Sequence, residues 1–237
     1  MGGRAAKSHT GSLAGQAEIW EGVARQAGAV MVQGLDELID VLTAWKYLKN
    51  RGGNIALAGG GGAIGVFSSD LAWRLGLDIP TFKQETQDRL QKFFPTPGNS
   101  VKNPLDTGTP VIAEQTMADM CRVILQNEPI DVLILVFLLR PLELEVNSLT
   151  KMMGFEPPAP GSYLESLKAT LVGLKEETGK DIALIFDNRA VRVEDVWVEE
   201  VNRKVRAQYQ AAGLPVFPNA PRALKAISLA RRPARDL

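Results

Sequence analysis

Between Asp131 and Phe137 the chain reads Asp-Val-Leu-Ile-Leu-Val-Phe, with no polar side chain after the leading acid. A strand with one wet face alternates polar and apolar residues. An unbroken apolar run instead signals burial on both faces, the condition of an inner strand in a parallel sheet with helices packed on either side. That one run therefore sets an architecture for the residues around it.

The neighbouring segments fit the same scheme. Strand patterns at Ile55-Ala56-Leu57-Ala58, Ile79 to Phe82, Ile182 to Phe186 and Pro215-Val216-Phe217 alternate with helical patterns at Ile64 to Leu75, Glu85 to Phe94, Glu114 to Gln126, Tyr163 to Thr178, Val193 to Ala212 and Pro221 to Ala230. Five strands interleaved with helices predict an α/β fold, a doubly wound parallel five-stranded sheet of flavodoxin-like order 2-1-3-4-5. Upstream, Leu13, Ile19, Trp20, Val23 and Ala27 keep helical spacing up to Gly28. Ala29 to Gln33 is a short strand candidate. Leu35, Leu38, Ile39, Leu42 and Trp45 then mark a second helix, with Asp36 and Glu37 complementing the dipole of its first turn. The polar glycine turn Asn50-Arg51-Gly52-Gly53-Asn54 divides the chain into residues 1–50, a partial α/β domain unable to enclose a core alone, and residues 51–237, which hold the sheet. The exposed apolar face of the first part is expected to pack on the second part or on another copy of the chain, a homodimer.

Composition narrows the function classes. The chain has 237 residues, 45% of them hydrophobic, and equal numbers of acidic and basic residues (27 each), so no basic excess argues for nucleic acid. The run Arg231-Arg232-Pro233-Ala234-Arg235 reads as a solvated end. The most hydrophobic run, Val132 to Leu139, is too short to span a bilayer, and no apolar signal region opens the chain. Cys121 is the single cysteine, in an apolar helical pattern, and reads as core in a reducing compartment. The expectation is a cytoplasmic protein that engages neither membrane nor nucleic acid.

Two glycine-bearing loops carry the candidate chemistry. The first, Lys7-Ser8-His9-Thr10-Gly11-Ser12-Leu13-Ala14-Gly15, holds the only histidine just upstream of a helix. Small and hydroxyl residues leave the imidazole uncrowded, and Ser8 and Thr10 read either as phosphate ligands or as helix caps. The second, Gly59 to Gly65, joins a strand to a helix. At Gly60, Gly61 and Gly62 the backbone can approach a ligand closely while the helix from about Ala63 offers its positive end to an anion; a tight turn without ligand explains the same residues. Gly60, Gly62 and Gly65 also satisfy the dinucleotide G-x-G-x-x-G spacing. A nicotinamide cofactor, however, wants an acid ending the second strand, and Phe82 is followed by Lys83 and Gln84.

The loop Ser8 to Gly15 resembles the phosphohistidine loop of the NDP-forming acyl-CoA synthetases, the ADP-forming acetyl-CoA synthetase branch of the succinyl-CoA synthetase superfamily. The similarity continues through Gly59 to Gly65, through Asn103-Pro104-Leu105-Asp106, and to Gly213-Leu214-Pro215-Val216-Phe217. It implies that His9 is the catalytic residue and parks a phosphoryl group passed between acyl phosphate and ADP. It implies further that Ser8, Thr10, Gly11, Gly60, Gly61, Gly62 and Ala63 surround phosphate and that Asn103 and Asp106 shape the pocket for a small carboxylic acid or acyl phosphate. For Asn103 to Asp106, a proline loop with an Asx-type turn is the alternative without function. Arg189, after the fourth strand, reads either as an anion contact or as part of a solvated loop. Members of the family carry a CoA-binding Rossmann domain ahead of this histidine and an ATP-grasp domain or subunit, whereas eight residues precede His9 here. The chain is thus expected to be the C-terminal portion of such a synthetase. It would bind no cofactor or metal by itself, and CoA, ADP or ATP and Mg²⁺ would belong to the complete enzyme. The other reading is a stand-alone domain that binds phosphate or an acyl ligand, or docks a partner, without turnover.

Overall fold

The computed structural model describes residues 17–94, 98–188 and 192–231. Two helices, α1 (Ala17–Gln26) and α2 (Leu35–Tyr47), precede β1 (Ile55–Gly59), α3 (Gly62–Arg74), α4 (Gln84–Leu90), β2 (Leu105–Asp106), α5 (Glu114–Asn127) and β3 (Val132–Leu138). Then come α6 (Leu139–Met152), α7 (Ser162–Thr178), β4 (Asp181–Asp187), a 3-10 turn at Val193–Asp195, α8 (Val196–Ala211), β5 (Val216–Phe217) and α9 (Ala220–Ala230).

All five strands are parallel, in the order β2-β1-β3-β4-β5. The central pair runs in register from Val132 opposite Asp181 to Leu138 opposite Asp187. Burial follows the alternation of the strand. Leu133, Leu135 and Phe137 join a core under α4, α5, α7 and α8 that includes Leu90, Met120, Ile124, Leu171 and Tyr209. Val132, Ile134 and Val136 join the opposite core, closed by α2, α3 and α9 through Ala44, Leu48, Ala72, Ala223 and Ile227. Tyr209 is fully buried; its ring meets the edge of Phe186 at 5.4 Å between centroids, and its hydroxyl donates to Leu164 O at 2.6 Å. Without that acceptor the phenol would lose its water for nothing.

Three expectations change. Ile79 to Phe82 is not a strand: pairing stops at an isolated bridge between Asn54 and Asp78, just before it, and Pro80 has no N–H to extend it. The second strand is instead Leu105–Asp106, paired with Ala58 and Gly59. The gap beside the start of β1 is filled by a side chain. Asn103 is buried, accepts from Leu57 N–H at 2.9 Å, and donates to Ile55 O at 2.7 Å and to Pro80 O at 3.0 Å, standing in for the missing strand. Ala29 to Gln33 likewise forms no strand and connects α1 to α2. Finally, β3 runs straight into α6, a helix absent from the expected elements. Pro141 sits in its first turn, where a missing N–H costs no helical bond, so the residue that looks like a breaker is a starter.

Helix α2 is held to α9 by charge as well as by apolar burial. Arg222 grips the buried Asp40 in bidentate fashion, Nη2 at 3.0 Å from Oδ1 and Nε on Oδ2, and Lys225 reaches Glu37 at 3.0 Å. At the other end of the helix, Asp181 accepts from the backbone N–H groups of Lys49 and Asn50 at 2.7 Å each. The outward side of α1 and α2, bearing Ile19, Trp20, Leu35, Leu42 and Trp45, is exposed.

Glu143, which no sequence pattern explains, is buried in α6 with both oxygens accepting from Gly161 N–H (3.2 and 3.1 Å) at the start of α7. Desolvation raises its pKa, opposed by that bond. A carboxyl raised in the folded state favours folding while protonated and loses that contribution as pH rises through its folded pKa. Glu143→Gln is therefore expected to raise Tm at neutral pH, with the advantage shrinking as pH falls through the raised folded pKa and gone below the usual carboxyl range; thermal melts across pH check this. Asn103→Ala should cost about 2–4 kcal/mol in urea unfolding, since it strands buried backbone groups of β1, and Asn103→Asp should cost more because a carboxylate cannot donate to Ile55 O or Pro80 O.

Candidate functional site

In a sheet of this order the connections leaving β1 and β3 diverge, and a crevice opens beyond their carboxyl ends. The glycine loop lies there. Gly59, at the end of β1, has φ +159°, and a Cβ on it would come within 2.5 Å of Val136 O, so the floor of the crevice tolerates no side chain. Gly61, with φ +109°, makes the turn into α3, which starts at Gly62, one residue before Ala63. Gly65 lets the helix approach the next loop: a Cβ there would lie 3.1 Å from Pro104 Cβ.

Helix α3 has no side-chain cap of its own, since its N-cap residue is Gly61. The cap arrives from β2. Asp106 Oδ1 accepts from Gly61 N–H at 3.2 Å and from Gly108 N–H at 3.0 Å, and its Oδ2 would lie 3.0 Å from any Cβ on Gly62. A backbone bond from Thr107 N–H to Gly59 O, 3.1 Å, staples the two loops together. Asp106 therefore serves as both Asx turn and interstrand cap, placing a negative charge at the positive end of α3. The amides of Gly62 and Ala63 belong to the first helical turn, where no i−4 acceptor exists.

These placements also revise the cofactor argument. The second strand does end in an acid, Asp106, so the sequence Phe82-Lys83-Gln84 no longer excludes a dinucleotide. What opposes one is the position of that carboxylate, bonded to the loop amides where a pyrophosphate would approach.

Beside the loop lies a cavity of about 360 Å³. Leu57, Ile64, Val66, Pro104, Leu105 and Val136 form its apolar wall, with Ser69, Asp70, Ser100 and Asp106 as polar lining residues. Most of these were not singled out from sequence, because they belong to separate elements and resemble ordinary core residues. Asn103 is not in the lining; its amide is committed to β1 and Pro80, so it positions the loop that carries Pro104 to Asp106.

At the neighbouring strand ends, Arg140 Nε lies 2.9 Å from Asp195 Oδ1 and Arg192 Nε 3.3 Å from Oδ2. Arg140 chiefly, then Arg192, holds the Asp195 carboxyl below its ordinary range. Asn188 donates to Glu199 at 2.5 Å. His9, Ser8, Thr10, Gly11 and Arg189 lie outside the described residues. Among the described residues no group of three or more His, Cys, Asp or Glu could hold a metal ion, and no helix is long and apolar enough to cross a membrane.

Because the Asp106 carboxylate competes with external anions, Asp106→Asn should keep the cap but strengthen binding of inorganic phosphate by roughly fivefold, about 1 kcal/mol. Titration calorimetry with both proteins checks this, and equal affinities would show that the carboxylate does not gate the helix end.

A family model described as the succinyl-CoA ligase like flavodoxin domain matches residues 1–45. Over 232 residues, 98% of this chain, the sequence is 28% identical to the acetate–CoA ligase [ADP-forming] I of Archaeoglobus fulgidus, covering 28% of that protein. Subunit alpha of the acetate–CoA ligase [ADP-forming] II of Pyrococcus furiosus is 34% identical over 136 residues, 56% of this chain and 29% of that one. The chain thus spans less than a third of the length of these relatives. In fold, the dinucleotide-forming acetyl-coenzyme A synthetase 1 of Ca. Korarchaeum cryptofilum, solved with phosphate and ADP, superposes with a TM-score of 0.72 at 21% identity, over 97% of this chain and 43% of that one. Beside the glycine loop and the parallel sheet, these matches make the chain similar in sequence to parts of the ADP-forming acetate–CoA ligases, and similar in fold to a solved acetyl-coenzyme A synthetase.

Proposed function

We propose that this chain is the phosphoryl-relay portion of an ADP-forming acyl-CoA synthetase, with His9 as the residue that carries the phosphoryl group. The observation that carries the reading is that Ser8 to Gly15, with the sole histidine, falls inside the segment matched by the family model. Relatives aligned with the chain are named as acetate–CoA ligases, which supports the reaction class.

The chemistry asked of His9 is local. A neutral imidazole nitrogen attacks the phosphorus of an acyl phosphate; an N–P bond forms, the bond to the acyl oxygen breaks, and the carboxylate leaves. Transfer to a β-phosphate oxygen of ADP then breaks the N–P bond, forms ATP and restores the ring. Two local transfers replace one between distant sites. Ser8, Thr10 and the Gly11 amide would donate to the phosphoryl oxygens. The amides of Gly60, Gly62 and Ala63 at the start of α3 would face the same charge, and that of Gly61 would do so on leaving Asp106, positioning and neutralisation being most of what such a transfer requires. Asp106 and Asn103 act here by shaping the loop. CoA and ADP with Mg²⁺ would be held by partner modules, a CoA-binding Rossmann domain and an ATP-grasp domain or subunit. On this reading residues 1–50 form the end of one ligase-like domain and residues 51–237 the next. The exposed apolar side of α1 and α2 would meet the partner modules or a second copy.

One observation favours the second reading, a binding module without turnover: an internal carboxylate already caps the helix that would receive the anion. A labelling experiment separates the two. Incubated with a homologous CoA-binding subunit, an ATP-grasp subunit and labelled ATP, the chain should take up label that is lost in acid and kept in base, as a phosphoramidate is, and His9→Asn should abolish it. Equal labelling of the substituted chain, or acid-stable label as on a phosphoserine, would overturn the relay.

A further inference from the structure

Among the described residues three arginines follow closely on the carboxyl ends of strands: Arg140 after β3, Arg192 after β4 and Arg222 after β5. They are not held alike. Arg222 clasps Asp40 through hydrogen bonds from both Nε and Nη2. Arg192 divides itself between Asp195, 3.3 Å from Nε, and Glu194, 3.2 Å from Nη1. Arg140 meets Asp195 through Nε, 2.9 Å from Oδ1, in a contact of charge without the alignment of a hydrogen bond, and among the described residues its Nη groups have no partner. We propose that Arg140 is an oxyanion receptor for the crevice, parked on Asp195 and handed over to a phosphate or phosphoryl dianion that binds beside the glycine loop. The inference deepens the relay reading and takes from it the identity of the anion.

Topology brings the two together. Gly59 and Val136 are register partners on adjacent strands; the glycine loop begins just past the first, and Arg140 stands in the first turn of α6, just past Leu138 at the end of β3. Helix α3 leaves toward the core that holds Ala72 and Ile134, and α6 toward the core that holds Leu139 and Leu142. The glycine loop and the turn bearing Arg140 therefore flank the divergence of the two connections from opposite sides.

Charge gives the reason for a cation there. Asp106 caps α3 and Asp70 lines the same cavity, while no Lys, Arg or His lines it among the described residues. A dianion at the loop would face two carboxylates with backbone amides alone in its favour. A guanidinium on the opposite rim offsets that, and its planar fork suits two phosphate oxygens at once. The paired arginines give the means. Asp195 is buried, and Arg140 first, then Arg192, holds its carboxyl below the ordinary range, so it stays ionised and is costly to leave without a cation. One arginine would be trapped by that need. With two, Arg140 can leave while Arg192 stays. A clasp that served only to join α6 to α8 would need one guanidinium, set in the two-bonded manner of Arg222 on Asp40.

The test is calorimetric titration of the full chain with inorganic phosphate. Arg140→Gln should weaken binding about tenfold or more, the loss of a charge-assisted contact. Arg140→Lys, which keeps the charge without the fork, should recover only part of it. Asp195→Asn should act in the opposite direction and strengthen phosphate binding, because Arg140 is no longer held by a carboxylate. Arg192→Gln should weaken it, because Asp195 then has Arg140 alone. A plain clasp predicts a different pattern: Arg140→Gln and Asp195→Asn would both lower Tm, and neither would move phosphate affinity. Absence of saturable phosphate binding to the unsubstituted chain overturns the assignment. So does unchanged affinity in Arg140→Gln and Arg140→Lys, or weaker binding in Asp195→Asn at an unchanged circular dichroism spectrum. Should Arg140→Gln fail to fold, Arg140→Lys and Asp195→Asn decide by their opposite signs. Phosphate is titrated without transfer, so an unlabelled His9 speaks against the relay alone. A labelled His9 in a chain whose phosphate affinity ignores Arg140 speaks against the receptor alone.

Discussion

The outer edge of β1 depends on one amide. A strand of a parallel sheet must satisfy its N–H and C=O groups on both sides, and β1 meets β3 on one side through its full length but β2 over two residues only on the other. Asn103 supplies what the short strand cannot, giving an acceptor to Leu57 and a donor to Ile55. The net gain of such bonds is modest, whereas leaving buried backbone groups unpaired is costly, so the amide matters mainly for what its loss would expose. Because it fixes the loop at residue 103, it also fixes where Pro104 meets Gly65 and where Asp106 meets the glycine loop.

That dependence accounts for what could be read from the sequence. Strands β1, β3 and β4 were legible because burial on both faces leaves continuous apolar runs, and their order followed from the alternation with helices. β2 was not, for its neighbour along the edge is a side chain rather than a run of residues, and Ile79 to Phe82 imitates a strand while Pro80 denies it a donor. Helix α6 was hidden by the continuity of Leu138 into Leu139 and by Pro141, which breaks a helix anywhere but at its start.

The site divides in the same way. Its glycines announced themselves, since their spacing carries backbone geometry that side chains would forbid. The role of Asp106 did not, because a cap that comes from another strand leaves no short-range pattern. The apolar wall was equally silent: Leu57, Ile64, Pro104 and Val136 become a cavity only when the strands are laid side by side.

Helix α2 has a direction as well as a place. Its first half lies beside Arg222 in the first turn of α9, next to the carboxyl ends of the strands, and its last residues reach Asp181 at the opposite pole. The residues just before Leu35 therefore enter α2 at the pole that bears the glycine loop. A reactive group tethered there meets the crevice at an effective concentration set by the reach of the chain, not by how much protein is in solution. Under the relay proposed for His9, the Asp40–Arg222 pair would thereby set an encounter frequency rather than a step of the chemistry.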